Sequence, residues 1–146
     1  MIDPKRPSSR DVLYLAGPVR GNGGNVPLNN AVAIALAREL YARGWTVYSP
    51  HANNAAIEGW DLPDAKDALR MAQASSERGL TADFEFISRS DVLGLVPGWE
   101  RSEGTLAEIH FAAERGIPVY TVEALLGAKV VAGVLERVRA QYGRAA

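Results

Sequence analysis

Apolar residues in this chain come in short runs separated by polar, glycine-marked stretches, and the runs alternate in kind. Residues 11–17 (DVLYLAG) form a continuous apolar run ending at a glycine, which predicts a buried strand. Pro27 suits the first turn of a helix, and Ala31, Ile34, Ala35, Arg38 and Leu40 sit on that helix, which is expected to stop near Gly44. Residues 45–49 (WTVYS) read as a second strand closed by Pro50, followed by a polar loop over 51–62. Pro63 opens a helix to about Arg78, Gly79 stops it, and Thr81 caps a short helix over 82–90. Residues 91–96 (DVLGLV) predict a third strand and 97–103 (PGWERSE) a turn-rich loop. A helix over 104–115 ends at Gly116 and Ile117–Pro118. A fourth strand over 119–122 and a last helix over 123–141 complete the pattern.

The order β-α-β-α-α-β-α-β-α predicts a single Rossmann-like (flavodoxin-like) α/β domain. Its four- to five-stranded parallel sheet carries helices on both faces, which suits strands that are apolar nearly throughout. The length of 146 residues fits one domain over residues 11–146. The polar start MIDPKRPSSR is expected to be a disordered head over residues 1–10, and without an apolar core it does not read as a signal peptide. No apolar run approaches a membrane span, so a cytoplasmic protein is expected.

Composition narrows the chemistry. A net charge of -1 gives no overall attraction to a nucleic acid polymer, although a small anion needs only a local site. The absence of cysteine excludes disulfides and thiolate metal sites. His51 and His110 are the two histidines and have no HExxH spacing, so no histidine-based metal site is expected.

In parallel α/β sheets a ligand binds beyond the carboxyl ends of the strands. The loops expected there carry Arg20, His51, Asn53, Asn54, Trp99 and Ser102. After the first strand, Gly17, Pro18, Arg20, Gly21 and Asn22 lie in a glycine-rich segment that reads either as an anion cradle or as a flexible turn. In residues 102–108 (SEGTLAE), Glu108 is open to two readings: a reactive carboxylate, or the acid of a capping box with Thr105. Ser102 is likewise a ligand contact or an N-cap, with Gly104 beside it. Asp83 is a candidate acid or a residue favoured by a helix dipole. His51 touches ligand or caps its loop, and Trp99 and Trp60 stack on a base or pack. His110 reads as structural and Asp91 as a strand boundary.

Together these residues resemble the nucleoside 2-deoxyribosyltransferase superfamily, and within it the small phage-associated proteins and the hydrolases of 2'-deoxynucleoside 5'-monophosphates. The resemblance runs from about Val12 to Val122. It rests on YLAGPVRG after the first strand, on Asp83 ahead of Asp91, and on S-x-G-x-x-x-E from Ser102 to Glu108. PGWERSEGTLAE is also similar to the PGG-x-GT-x-x-E signature of phosphoribohydrolases that release cytokinin bases. The resemblance implies that Glu108 is the nucleophile, that Asp83 handles the proton on the base, and that Tyr14 sits beside the nucleophile. It implies a phosphate-binding role for Arg20 and its neighbouring glycines. Serine at position 102, where nucleoside-specific transferases carry aspartate, favours a 5'-phosphate. The implied reaction is N-glycosidic cleavage of a nucleotide. Base exchange on free deoxynucleosides, or a nucleotide-binding module without turnover, is the alternative. Either enzyme needs a carboxylate under the anomeric carbon and a proton donor for the departing base, and neither needs a metal or an organic cofactor. Homo-oligomers, at least dimers, are also implied.

Overall fold

The computed structural model describes residues 2–142, apart from the side chains of Asn22 and Ser76. Strands β1 (Val12–Ala16), β2 (Thr46–Tyr48), β3 (Val92–Leu95) and β4 (Val119–Thr121) form a parallel sheet in the order β2-β1-β3-β4. Helices α1 (Gly21–Gly24) and α2 (Val26–Ala42) lead from β1 to β2. Helices α3 (Pro50–Glu58) and α4 (Ala65–Ser88) lead to β3, and α5 (Glu103–Glu114) leads to β4. Helices α6 (Val122–Leu126) and α7 (Ala128–Tyr142) follow β4. This is the Rossmann-like α/β arrangement that the sequence predicts, with four strands among the described residues.

Side chains alternate across a strand, so β1 feeds two separate cores. Leu13 and Leu15 join Val92, the α2 residues Leu28, Val32, Leu36 and Leu40, and the α7 residues Val131 and Val134. Tyr14 and Ala16 face the other way, against Leu93, Leu95, Ile87 of α4 and Ala112 of α5. A third, smaller cluster of Val26, Ala55, Trp60, Ala68 and Ala72 joins α3 and α4 to the start of α2. Ahead of β1, residues 2–10 contain no helix or strand; Ser9 accepts a hydrogen bond from Thr46 Oγ1 and Ile2 packs against the larger core.

Four segments differ from expectation. The stretch after Pro50 is helix α3, not a polar loop: the Ser49 side chain caps it by accepting from Ala52 N, Pro50 starts it, and Gly59 ends it at φ 83°. Helix α4 is one continuous element capped by Asp64 and runs straight through Gly79. Thr81 donates back to the Glu77 carbonyl at 3.4 Å and caps nothing. The glycine-rich segment after β1 includes the short helix α1, and the last helix is broken at Gly127, whose φ is 93°. The chain leaves β1 toward β2 on one side and returns to β3 on the other, so the carboxyl ends of β1 and β3 border the crevice where such sheets bind ligands.

Candidate active site

A cavity of about 570 Å³ opens at that crevice, within the size range of small-molecule sites. Its walls come from the β1–α1 segment, α3, α4 and the start of α5. Gly17, Arg20, Gly21, His51, Asp83, Ser102, Gly104 and Glu108, all named from the sequence, line it together.

Glu108 is 5% exposed, and Tyr14 of β1, fully buried, donates its hydroxyl to Glu108 Oε2 at 2.5 Å. Tyr14 is held from behind by ring stacking on Tyr48, which stacks on Phe86. The capping box does not form. Ser102 is the N-cap of α5 and accepts from Thr105 N at 3.3 Å, which leaves Glu108 well inside the helix and free of capping duty. Thr105 Oγ1 also donates to Ser102 Oγ at 3.0 Å, so Ser102 accepts twice and keeps its own hydroxyl proton for a ligand. Gly104 is open, with nothing within 4 Å of where a side chain would begin.

Asp83 projects from α4 and is held by Asn54 Nδ2, which donates to its Oδ1 at 2.6 Å. Asn54 Oδ1 in turn accepts from the Tyr48 hydroxyl at 2.7 Å and from Asn53 Nδ2 at 3.0 Å. Burial pushes the Glu108 carboxyl up to about 8, helped by the negative charge of Asp83 and opposed by the Tyr14 hydrogen bond. Burial also pushes Asp83 up to about 6, opposed by the hydrogen bonds of Asn54 and Tyr14. The Tyr14 hydroxyl is raised by burial and then by the two acids, so it stays a donor. Near neutral pH the two carboxyls therefore hold about one proton between them, as a coupled pair.

His51 lies in the first turn of α3, buried, and its Nε2–H donates to the Pro18 carbonyl at 2.9 Å. Burial lowers its pKa, so the ring is neutral and Nδ1 carries a lone pair. With Asn29 Nδ2, which donates to the carbonyls of Val19 and Gly21 at 2.8 and 2.9 Å, it pins the segment that follows β1. Pro18 itself borders a neighbouring hollow with Pro97 and Gly98, and contributes its carbonyl to this anchor. Gly17 is required by packing, since a Cβ there would lie 2.6 Å from Val96 Cβ. Arg20 is exposed at the mouth of the cavity. The side chain of Asn22 lies outside the described residues.

Trp99 is not brought to the cavity: it packs, half-buried, against the Tyr14 and Leu93 cluster. His110 is exposed and paired with Glu114 at 3.0 Å, and Asp91 accepts from Val12 N at 2.9 Å, a boundary contact between β1 and the start of β3. Sequence reasoning gave Thr105 only a capping role and gave none to Glu58 or Arg101, all three of which line the cavity, or to the hydrogen bond that links Asn54 to Asp83. Ser49–Pro50 and Gly59 mark the two ends of α3. Once that helix is drawn, His51, Asn54, Ala55 and Glu58 fall on one face.

Among the described residues, no cluster of His, Asp or Glu is arranged to hold a metal ion, and no helix is long and apolar enough to cross a membrane. Residues 11–121 match the model of a domain family of unknown function, DUF4406, and the chain belongs to that family. No curated protein and no solved structure matches the chain.

Proposed function

We propose that this protein hydrolyses the N-glycosidic bond of a (2'-deoxy)nucleoside 5'-monophosphate, releasing free base and sugar phosphate. One observation carries the reading: a buried glutamate held by a tyrosine hydroxyl at 2.5 Å, with a second carboxyl of raised pKa lining the same cavity. Capping, the main structural duty that competes for Glu108, belongs to Ser102.

In the first step the Glu108 carboxylate bonds to the anomeric carbon as the carbon–nitrogen bond breaks. The electron pair leaves with the base nitrogen, which takes its proton from Asp83. In the second step the Asp83 carboxylate takes a proton from water, whose oxygen attacks the anomeric carbon and returns Glu108 as a carboxylate. The protein alone makes Glu108 the weaker acid of the pair, the reverse of the order the first step needs. An electron-poor anomeric carbon beside Glu108 favours the anion there, so the shared proton passes to Asp83 once substrate is bound.

Arg20, the Ser102 hydroxyl and the open backbone at Gly104, at the start of α5, supply donors for a 5'-phosphate. The resemblance to the deoxyribosyltransferases also carries an assembly of at least two copies, which light scattering measures directly.

The test follows base release by chromatography from deoxy- and ribonucleosides, each with and without a 5'-phosphate, beside Glu108→Ala. Release from the monophosphates that falls by about a thousandfold or more in the variant is expected. Turnover of free nucleosides only when a second base is added would make the enzyme a transferase. Release that survives in Glu108→Ala would remove the nucleophile from the reading.

A further inference from the structure

The cavity has two chemically distinct ends. Toward α1 and the start of α5 it offers donors: Arg20, Arg101 and the Ser102 hydroxyl. Toward α3 and α4 its side-chain nitrogens already donate within the protein. Trp60 Nε1 donates to Glu58 Oε1 at 3.3 Å, His51 Nε2 to the Pro18 carbonyl, and Asn54 Nδ2 to Asp83. What this end has left over is acceptor capacity. Glu58 is its half-buried source, because Trp60 occupies only one of its oxygens, whereas Glu77 on the same wall is exposed. His51 adds no donor here, since its Nδ1 carries an unpartnered lone pair.

The Glu58 carboxylate is also placed. Trp60, 4% exposed and packed edge-on to His51, fixes the indole that holds it. Opposite, Gly79 sits inside α4, where glycine costs about 1 kcal/mol relative to alanine. A Cβ at Gly79 would stand 3.0 Å from Glu58 Oε1 and 3.5 Å from Oε2, so the glycine leaves the carboxylate its room. Glu58 is close enough to raise Asp83 electrostatically, which puts it on the side of the cavity that takes the departing base.

We infer that Glu58 selects the base: the cavity takes nucleotides whose base carries an exocyclic amino group, cytosine and adenine ahead of their oxo counterparts uracil and hypoxanthine. This rests on the glycosidic reading above. An amino group donates to the carboxylate, whereas an oxo group in the same place sets two acceptors against each other.

The experiment measures kcat/KM for base release from the monophosphates of cytidine and uridine and of adenosine and inosine, in ribo and deoxy forms. The wild type, Glu58→Gln and Gly79→Ala are compared, with melting curves for each. The wild type is expected to favour the amino member of each pair by about tenfold or more, and Glu58→Gln to lose or invert that preference, because an amide can donate to an oxo group. Gly79→Ala should lose the preference too while α4 gains helix propensity, so its effect cannot be laid to unfolding. Equal wild-type rates within each pair, or a preference unchanged in Glu58→Gln, overturns the role of Glu58 and leaves the glycosidic reading standing. Release from no monophosphate at all overturns both.

Discussion

The two faces of β1 are buried alike and used differently. Leu13 and Leu15 on one face and Tyr14 on the other are all fully buried. Behind the leucines, burial is a packing solution: aliphatic side chains of α2 and α7 fill the space, and the face is stable because it is apolar. Behind Tyr14, burial is an electrostatic condition. The same exclusion of water raises Glu108 and Asp83 and keeps them sharing a proton near neutral pH. One strand thus supplies apolar packing through its odd positions and the support of two buried acids through an even one, and the second is held at the expense of the first.

Paired melts sharpen that contrast most. Leu15→Ala should destabilise by about 2–5 kcal/mol at every pH, through lost burial and a residual cavity. Glu108→Gln should do the opposite, and only at high pH. The folded-state pKa values of Glu108, about 8, and Asp83, about 6, lie above their ordinary values of 4.5 and 3.8. The folded protein therefore keeps protons that the unfolded chain has lost. The pair's contribution to stability is present at pH 4 and is lost as the pH rises through about 8. Glu108→Gln removes most of that loss and should melt higher than the wild type at pH 9, by on the order of a few kcal/mol. Its advantage should shrink as the pH falls and vanish only below the ordinary glutamate value of 4.5. A variant less stable than the wild type at pH 9 would make the Glu108 face a packing face like the other.

Tyr14→Phe is the smaller perturbation. It deletes one hydroxyl, and the stacking ring stays against Tyr48. Losing the bond that lowers the Glu108 pKa should move the limb of the pH–rate profile set by Glu108 to higher pH and reduce kcat by about tenfold to a hundredfold. A profile that keeps its shape would return Tyr14 to the packing side of the comparison.

The legibility of the molecule divides along similar lines. β1, β3 and Glu108 were readable because apolar runs and an S-x-G-x-x-x-E pattern are local signals. Helix α3 was hidden by its composition: H-A-N-N reads as loop by propensity, and its caps carry the helical information. Helix α4 looked divided because a glycine usually marks an end, and a reason for a glycine inside it is the close approach of Glu58 Oε1, 3.0 Å from where a Cβ would stand. That reason lies in tertiary contacts and has no trace in the local sequence. At the start of α5 the N-cap reading of Ser102 holds, and the capping box of Thr105 with Glu108 fails for a subtler reason. Both Ser102 and Thr105 fit an N-cap, and the backbone gave the position to Ser102, whose φ of -106° and ψ of 110° are extended.

The placement of Glu108 and Glu58 on different parts of the fold has a thermal consequence. The partner of Glu108 stands on β1, paired on both sides by β2 and β3, so that contact lasts as long as the sheet. Glu58 stands near the end of α3, away from the sheet, where the packing against α4 is the small cluster around Ala55 and Trp60. Packing of that size opens at lower cost than the sheet. On the proposed reading, warming should cost the protein its discrimination between bases before it disturbs the Tyr14–Glu108 contact, some degrees before it melts.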